Sequence, residues 1–145
     1  MRVVNHPGAD CCVPLLPNCN IPLIMQYRYA LKKEMIELPA GKLNEGEDPK
    51  KCARRELEEE IGYRVNKITF LINIYPAIGI TNEKIWLFLA ENFSRTQSNR
   101  DNDEFHELIQ SEFEDALDFI WSGKIADVKT IIGLLSLHMR LNQKQ

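Results

Sequence analysis

The chain has 145 residues, 44% of them hydrophobic and 27% charged, with a formal net charge of −3. One domain with a sizeable core fits that length, and no basic block offers a surface for nucleic acid. Four cysteines (Cys11, Cys12, Cys19 and Cys52) form no C-x-x-C pair, the N-terminus has no apolar leader, and the longest apolar run is too short to span a bilayer. Reduced thiols in a cytoplasmic protein that neither crosses a membrane nor binds nucleic acid are expected.

Residues 1–8 read as a lead-in. Cys11 to Leu16 and Ile21 to Ala30 read as strands around a turn at Pro17 to Asn20, with Pro14 and Pro22 arguing for edges or strand starts. Met35 to Leu38 is a short third strand. Gly41, Asn44 and Gly46 then give a turn-like stretch. A helix follows, with Asp48 as N-cap, Pro49 at its first position and Gly62 at its C-terminal stop. Ala53, Leu57 and Ile61 supply its apolar stripe.

Val65 to Tyr75 and Glu83 to Ala90 read as longer strands, the second apolar on both faces and so central to a layered sandwich. Ser94 to Glu104 is a polar loop. Phe105 to Gln110 returns as a strand, Ser111 and Glu114 suggest a capping box for a helix ending near Gly123, and a last helix spans Ala126 to Leu141. Mixed strands with flanking helices predict an α/β fold, an α/β/α sandwich. Trp86 and Trp121 are expected in the core. His6, His106 and His138 are expected to be structural or surface groups, with His106 the one worth testing.

The polar faces of the Pro49 helix are unusual. Glu56, Glu59 and Glu60 crowd one side, where like charges at helical spacing cost a few tenths of a kcal/mol per pair. Two explanations fit this helix alone: a solvated acidic face partnered by Lys50, Lys51, Arg54 and Arg55, or a seat for a hard divalent cation, which takes oxygen ligands. The wider spacing separates them. Gly41, Glu47, Arg55, Glu56, Leu57, Glu59, Glu60, Gly62 and Tyr63 fill the pattern G-x5-E-x7-R-E-U-x-E-E-x-G-U, with U apolar. That pattern resembles the Nudix hydrolase box over residues 41–63, with Tyr63 where an aliphatic residue is usual.

Five further stretches resemble the ADP-ribose pyrophosphatases of that family: Arg2 to Gly8, Gln26 to Tyr29, Glu37 to Gly41, Tyr75 to Ala90 and Gly123 to Leu135. The resemblance implies a Nudix-type sandwich and Mg²⁺-dependent hydrolysis, with Mn²⁺ as a substitute, of a small nucleotide substrate: ADP-ribose, to AMP and ribose 5-phosphate. It implies metal ligation by Glu56, Glu60, Glu104 and the carbonyl of Ala40. Glu59 would be a further ligand or support the ligands, and Arg55 and Glu47 would orient the carboxylates. Arg28 would grip the substrate phosphates, Glu37 would stand beside the metal site, and Pro76 would mark ADP-ribose preference.

Family members also carry an acidic pair, often Glu-x-Glu, before the last strand. Here Asn102 occupies the first position and Glu104 the second, leaving Glu104, Asp101 or Asp103 to serve as base. A strand segment ahead of the His-Pro-Gly motif helps family members form homodimers, and this chain begins close to that motif. Three alternatives stay open at this level: a nucleotide sugar, a dinucleoside polyphosphate, or ADP-ribose bound without turnover.

Overall fold

The computed structural model describes residues 2–95 and 106–143. Seven strands and three helices follow in the order β1 (Ala9–Pro14), β2 (Asn20–Arg28), β3 (Lys33–Glu37), β4 (Ala40–Lys42), α1 (Pro49–Ile61), β5 (Tyr63–Ile74), β6 (Ile85–Arg95), β7 (His106–Glu112), α2 (Phe113–Trp121) and α3 (Val128–Gln143). Strands β4, β1, β6 and β5 make one sheet, and β3, β2 and β7 a smaller one. Helix α1 packs on the larger sheet, α3 packs on its central strands β1 and β6, and α2 contacts α3, β7 and β2.

Period-two alternation divides the core between the faces of the central strands. Ala9, Cys11 and Val13 of β1 join Ile85, Leu87 and Leu89 of β6 in a cluster with α2 and α3, while Cys12, Phe88 and Ala90 meet Ala53, Leu57 and Ile61 of α1. Burial of β6 on both faces is what its continuous apolar run predicted. The result is the expected sandwich.

Helix α1 starts and stops where its end residues dictate. The Asp48 carboxylate accepts the Lys51 N–H at 3.3 Å, Pro49 fills the first turn, and Gly62 closes the helix at φ 73°, donating its N–H to the Glu58 carbonyl at 3.2 Å. The cap stabilises by about 1 kcal/mol, and each buried aliphatic side chain by about 1.5–3 kcal/mol.

Several expectations need correction. Strand β4 forms where a turn-like stretch was expected, because Ala40 to Lys42 pair with Cys11 to Ala9 of β1. Strand β6 runs on to Arg95, past the expected end at Ala90 and into the start of the expected loop, because β5 offers partners through Arg64 and Tyr63. Pro22 is tolerated inside β2 because β3 pairs with that strand only from Ile24 onward. The Ser111–Glu114 capping box is not made. Ser111 is buried in β7 opposite Ile21, its hydroxyl donates to the Glu112 carbonyl at 3.0 Å, and α2 starts at Phe113 without a side-chain cap. Trp121, expected in the core, is 77% exposed at the end of α2, whereas Trp86 is partly buried against the α1 cluster.

Candidate active site

The larger sheet brings the loop–helix motif against a cavity of about 360 Å³. In β4, Gly41 stands opposite Asp10 and against Glu56, and an added Cβ would overlap the Glu56 side chain. Glycine is required here by close approach. Glu56 stands behind Gly41, and its carboxyl is pushed above the ordinary range, first by burial and then by the neighbouring Glu59, against the lowering effect of a hydrogen bond with Glu60 and of Arg55. Glu60 lines the cavity, as do Ala40 and Gly41.

Arg55 ties the motif together. It donates to both Glu47 oxygens at 3.1 Å and to Glu56 Oε1 at 2.8 Å, and its Nη1 lies 3.6 Å from Glu59 Oε2. Those bonds, with the Asn44 N–H on Glu47 Oε1 at 3.0 Å, hold the Glu47 carboxyl down to about 2. The Glu59 side chain is 60% exposed and does not line the cavity.

A second network forms another wall of the cavity. Arg28 donates Nε and Nη2 to the two oxygens of Glu37 at 2.7 and 2.6 Å, and Lys129 Nζ reaches Glu37 Oε1 at 2.8 Å and Asp127 Oδ2 at 2.9 Å. Asp127 also caps α3, accepting the Thr130 N–H at 3.2 Å and its hydroxyl at 2.6 Å, while that hydroxyl accepts the Leu38 N–H at 3.0 Å. Close seating of α3 helps: a Cβ on Gly133 would stand 2.7 Å from Leu38 Cδ1. Burial pushes the Glu37 carboxyl up, but Arg28 and Lys129 outweigh it and leave Glu37 low. Burial likewise opposes the Lys129 charge, and Asp127 and Glu37 more than restore it.

At the mouth, His6, Pro76 and Glu83 line the cavity. The lead-in is pinned there by the Val4 N–H on the Ile80 carbonyl at 2.7 Å and the His6 N–H on Asn82 Oδ1 at 2.9 Å. His6 Nδ1 accepts the Gly8 N–H at 2.9 Å, which places the proton of the neutral ring on Nε2, 3.6 Å from Glu83 Oε2. His6 is therefore a cavity residue as well as a structural one.

Behind the motif, Asp10 is buried, accepting a thiol hydrogen bond from Cys52 at 3.0 Å. Burial raises its carboxyl to about 7, with Cys52 pulling the other way and Glu56 adding to the rise. The same burial raises the Cys52 and Cys12 thiols, so these are inert core thiols.

Among the described residues no group of three His, Cys, Asp or Glu side chains is arranged to hold a metal. The set that fits is Glu56, Glu60 and the Ala40 carbonyl: all-oxygen donors, with two carboxylates close enough to share a hydrogen bond, a crowding that a hard cation relieves. Glu104, Asn102, Asp101 and Asp103 lie outside the described residues.

Of the expected site residues, Arg28, Glu37, Ala40, Glu60 and Pro76 line one cavity, with Glu56 and Arg55 directly behind it. Lys129, Asp127, His6, Glu83 and Lys42 complete it and were missed. One signal was available for Lys129: a cation in the first turn of an otherwise apolar helix opposes the helix dipole and calls for a buried anion.

Comparison with known proteins gives the family and the fold. The NUDIX domain model matches residues 5–128. The chain is 38% identical over 141 residues to the methanol dehydrogenase activator of Bacillus methanolicus and 37% identical over 141 residues to the ADP-ribose pyrophosphatase of Bacillus subtilis (strain 168), covering 96% of this chain and 76% of each relative. It is 35% identical over 130 residues to the GDP-mannose pyrophosphatase of Cronobacter sakazakii, covering 83% of this chain and 68% of that protein. A crystal structure of an ADP compounds hydrolase superposes with a TM-score of 0.84 at 20% identity, covering 94% of this chain and 74% of that one, which shows a shared fold.

Proposed function

The chain belongs to the Nudix hydrolase family, and from that membership we propose that it hydrolyses the diphosphate bond of ADP-ribose, giving AMP and ribose 5-phosphate. The observation that carries the reading is the packing of Glu56 against Gly41 beside a cavity that Glu60 and the Arg28–Glu37 pair line together. Glu56, Glu60 and the Ala40 carbonyl would hold Mg²⁺, or Mn²⁺ in its place. When bound, the ion supplies charge neutralisation at the diphosphate and a more acidic water.

The chain's own groups do the positioning. Arg55 fixes Glu56 from one side while Glu47 fixes Arg55 from the other, so the ligand carboxylate is held before substrate arrives. Arg28 has two nitrogens committed to Glu37 and keeps Nη1 for a phosphate oxygen. Glu59 supports the carboxylates through Arg55, and Pro76 shapes the mouth. Glu104 is assigned the role of base, or of a further ligand, on the sequence resemblance alone. The protein acts as one domain in the cytoplasm, where its four free cysteines stay reduced. Among the described residues no helix is long and apolar enough to cross a membrane. A homodimer is proposed by the same resemblance.

The test is a hydrolysis panel of ADP-ribose, GDP-mannose and a dinucleoside polyphosphate, with and without Mg²⁺. AMP and ribose 5-phosphate should form only with metal, with kcat/KM for ADP-ribose at least about tenfold above the others. A preference for GDP-mannose would replace this reading with a nucleotide-sugar one, which the Cronobacter relative favours.

A further inference from the structure

The cavity presents three formal cations, Arg28, Lys42 and Lys129, and four carboxylates, Glu37, Glu60, Glu83 and Asp127. Two of the cations are already committed. Arg28 gives two of its nitrogens to Glu37, and Lys129, with a side chain only 13% exposed, is held between Glu37 and Asp127. His6 spends Nδ1 on the Gly8 N–H and has Nε2 3.6 Å from Glu83 Oε2. Lys42 differs. It is exposed on β4, and among the described residues its ammonium makes no ion pair or side-chain hydrogen bond. Its charge is therefore available to a polyanion that enters the cavity.

Its placement is fixed by the sheet. Lys42, Ala9 and Ile85 form one register row across β4, β1 and β6, and all three line the cavity. Ala40 and Lys42 share a face of β4, while Gly41 between them abuts Glu56. Lys42 therefore stands two residues, about 6.5 Å, along β4 from Ala40. We propose that Lys42 is a substrate-contacting specificity residue that binds the phosphoryl group of a nucleoside diphosphate farther from the Glu56–Glu60 centre. This rests on the reading that the cavity takes such a nucleotide. An ammonium point charge with three rotatable donors suits a phosphate that must both enter and leave.

The test uses the full chain, with Lys42→Met, Lys42→Arg and wild type compared by calorimetric titration of ADP in Mg²⁺ and by steady-state hydrolysis of ADP-ribose. Lys42→Met should weaken ADP binding and raise KM about tenfold while kcat stays within about twofold. Lys42→Arg should recover most of both, and kcat/KM of Lys42→Met should depend less on salt than that of wild type. Melting temperatures should agree, since no partner is lost. Unchanged ADP affinity in Lys42→Met, or a fall in kcat alone, overturns the proposal. If wild type ignores ADP-ribose but binds ADP, the substrate reading fails while the ADP titration still decides Lys42.

Discussion

The two walls of the cavity are built in opposite ways. The Glu47–Arg55–Glu56–Glu60 side is local: its members lie within one loop and one helix, and Arg55 reaches Glu47 over eight residues. The Arg28–Glu37–Lys129–Asp127 side is assembled from β2, β3 and the start of α3, with Lys129 and Glu37 separated by 92 residues. The local side crowds carboxylates at the cavity, with Glu60 lining it and Glu56 behind, which favours a cation. The assembled side neutralises its own charges and gives shape. Crowded like charges are thus where the proposed chemistry is placed, and satisfied opposite charges hold the cavity in form.

The sharpest way to break this contrast is to remove a carboxylate from the local side. Glu56→Gln and Glu60→Gln should each lower turnover by at least about a hundredfold in Mg²⁺ assays, with little change in unfolding free energy, because a lost metal-site charge costs several kcal/mol in the transition state. Activity at the wild-type level in either would detach the local wall from the chemistry.

The assembled wall should respond in stability first. Lys129→Met leaves Glu37 and Asp127 buried with less compensation, and we expect a loss of about 3 kcal/mol by urea denaturation. Much of that loss should be recovered in the Lys129→Met, Glu37→Gln double variant. An undiminished stability in the single variant would make the wall dispensable.

The last effect is read as a pH slope and concerns Asp10, which lies behind both. Its folded carboxyl titrates near 7, above its unfolded value of 3.8, so its favourable contribution is full below about pH 4 and is lost as pH rises to 7. Asp10→Asn removes this slope. Relative to wild type it should gain up to about 4 kcal/mol between pH 4 and pH 8, read from unfolding curves at the two pH values. A constant difference would mean that Asp10 is not titrating in this window.

The local wall was readable in the sequence because every constraint on it is short-ranged. Asp48, Pro49 and Gly62 set the ends of α1, helical spacing sets which glutamates meet, and the fixed spacing from Gly41 to Tyr63 carries the family resemblance. Gly41 was noticed, but its reason was not: the chain cannot say that Glu56 will lie against it. Likewise Cys52 reads as one more helix residue, and only the approach of β1 turns it into the donor that holds buried Asp10.

What the tertiary structure alone decided is pairing across distance. Ser111 had the pattern of a helix cap, yet pairing with Ile21 in the β2–β7 ladder kept it in a strand. Trp121 had the size of a core residue, yet the turn after α2 left it in solvent. Ala40 to Lys42 looked like turn and became β4 because β1 offered an edge. Composition and periodicity fixed the layers and the glutamate-bearing helix α1, since both depend on neighbours within a few turns. The partners of Arg28, the depth of Lys129 and the open position of Lys42 depend on which strands and helices stack, and that choice is made by burial summed over the whole core.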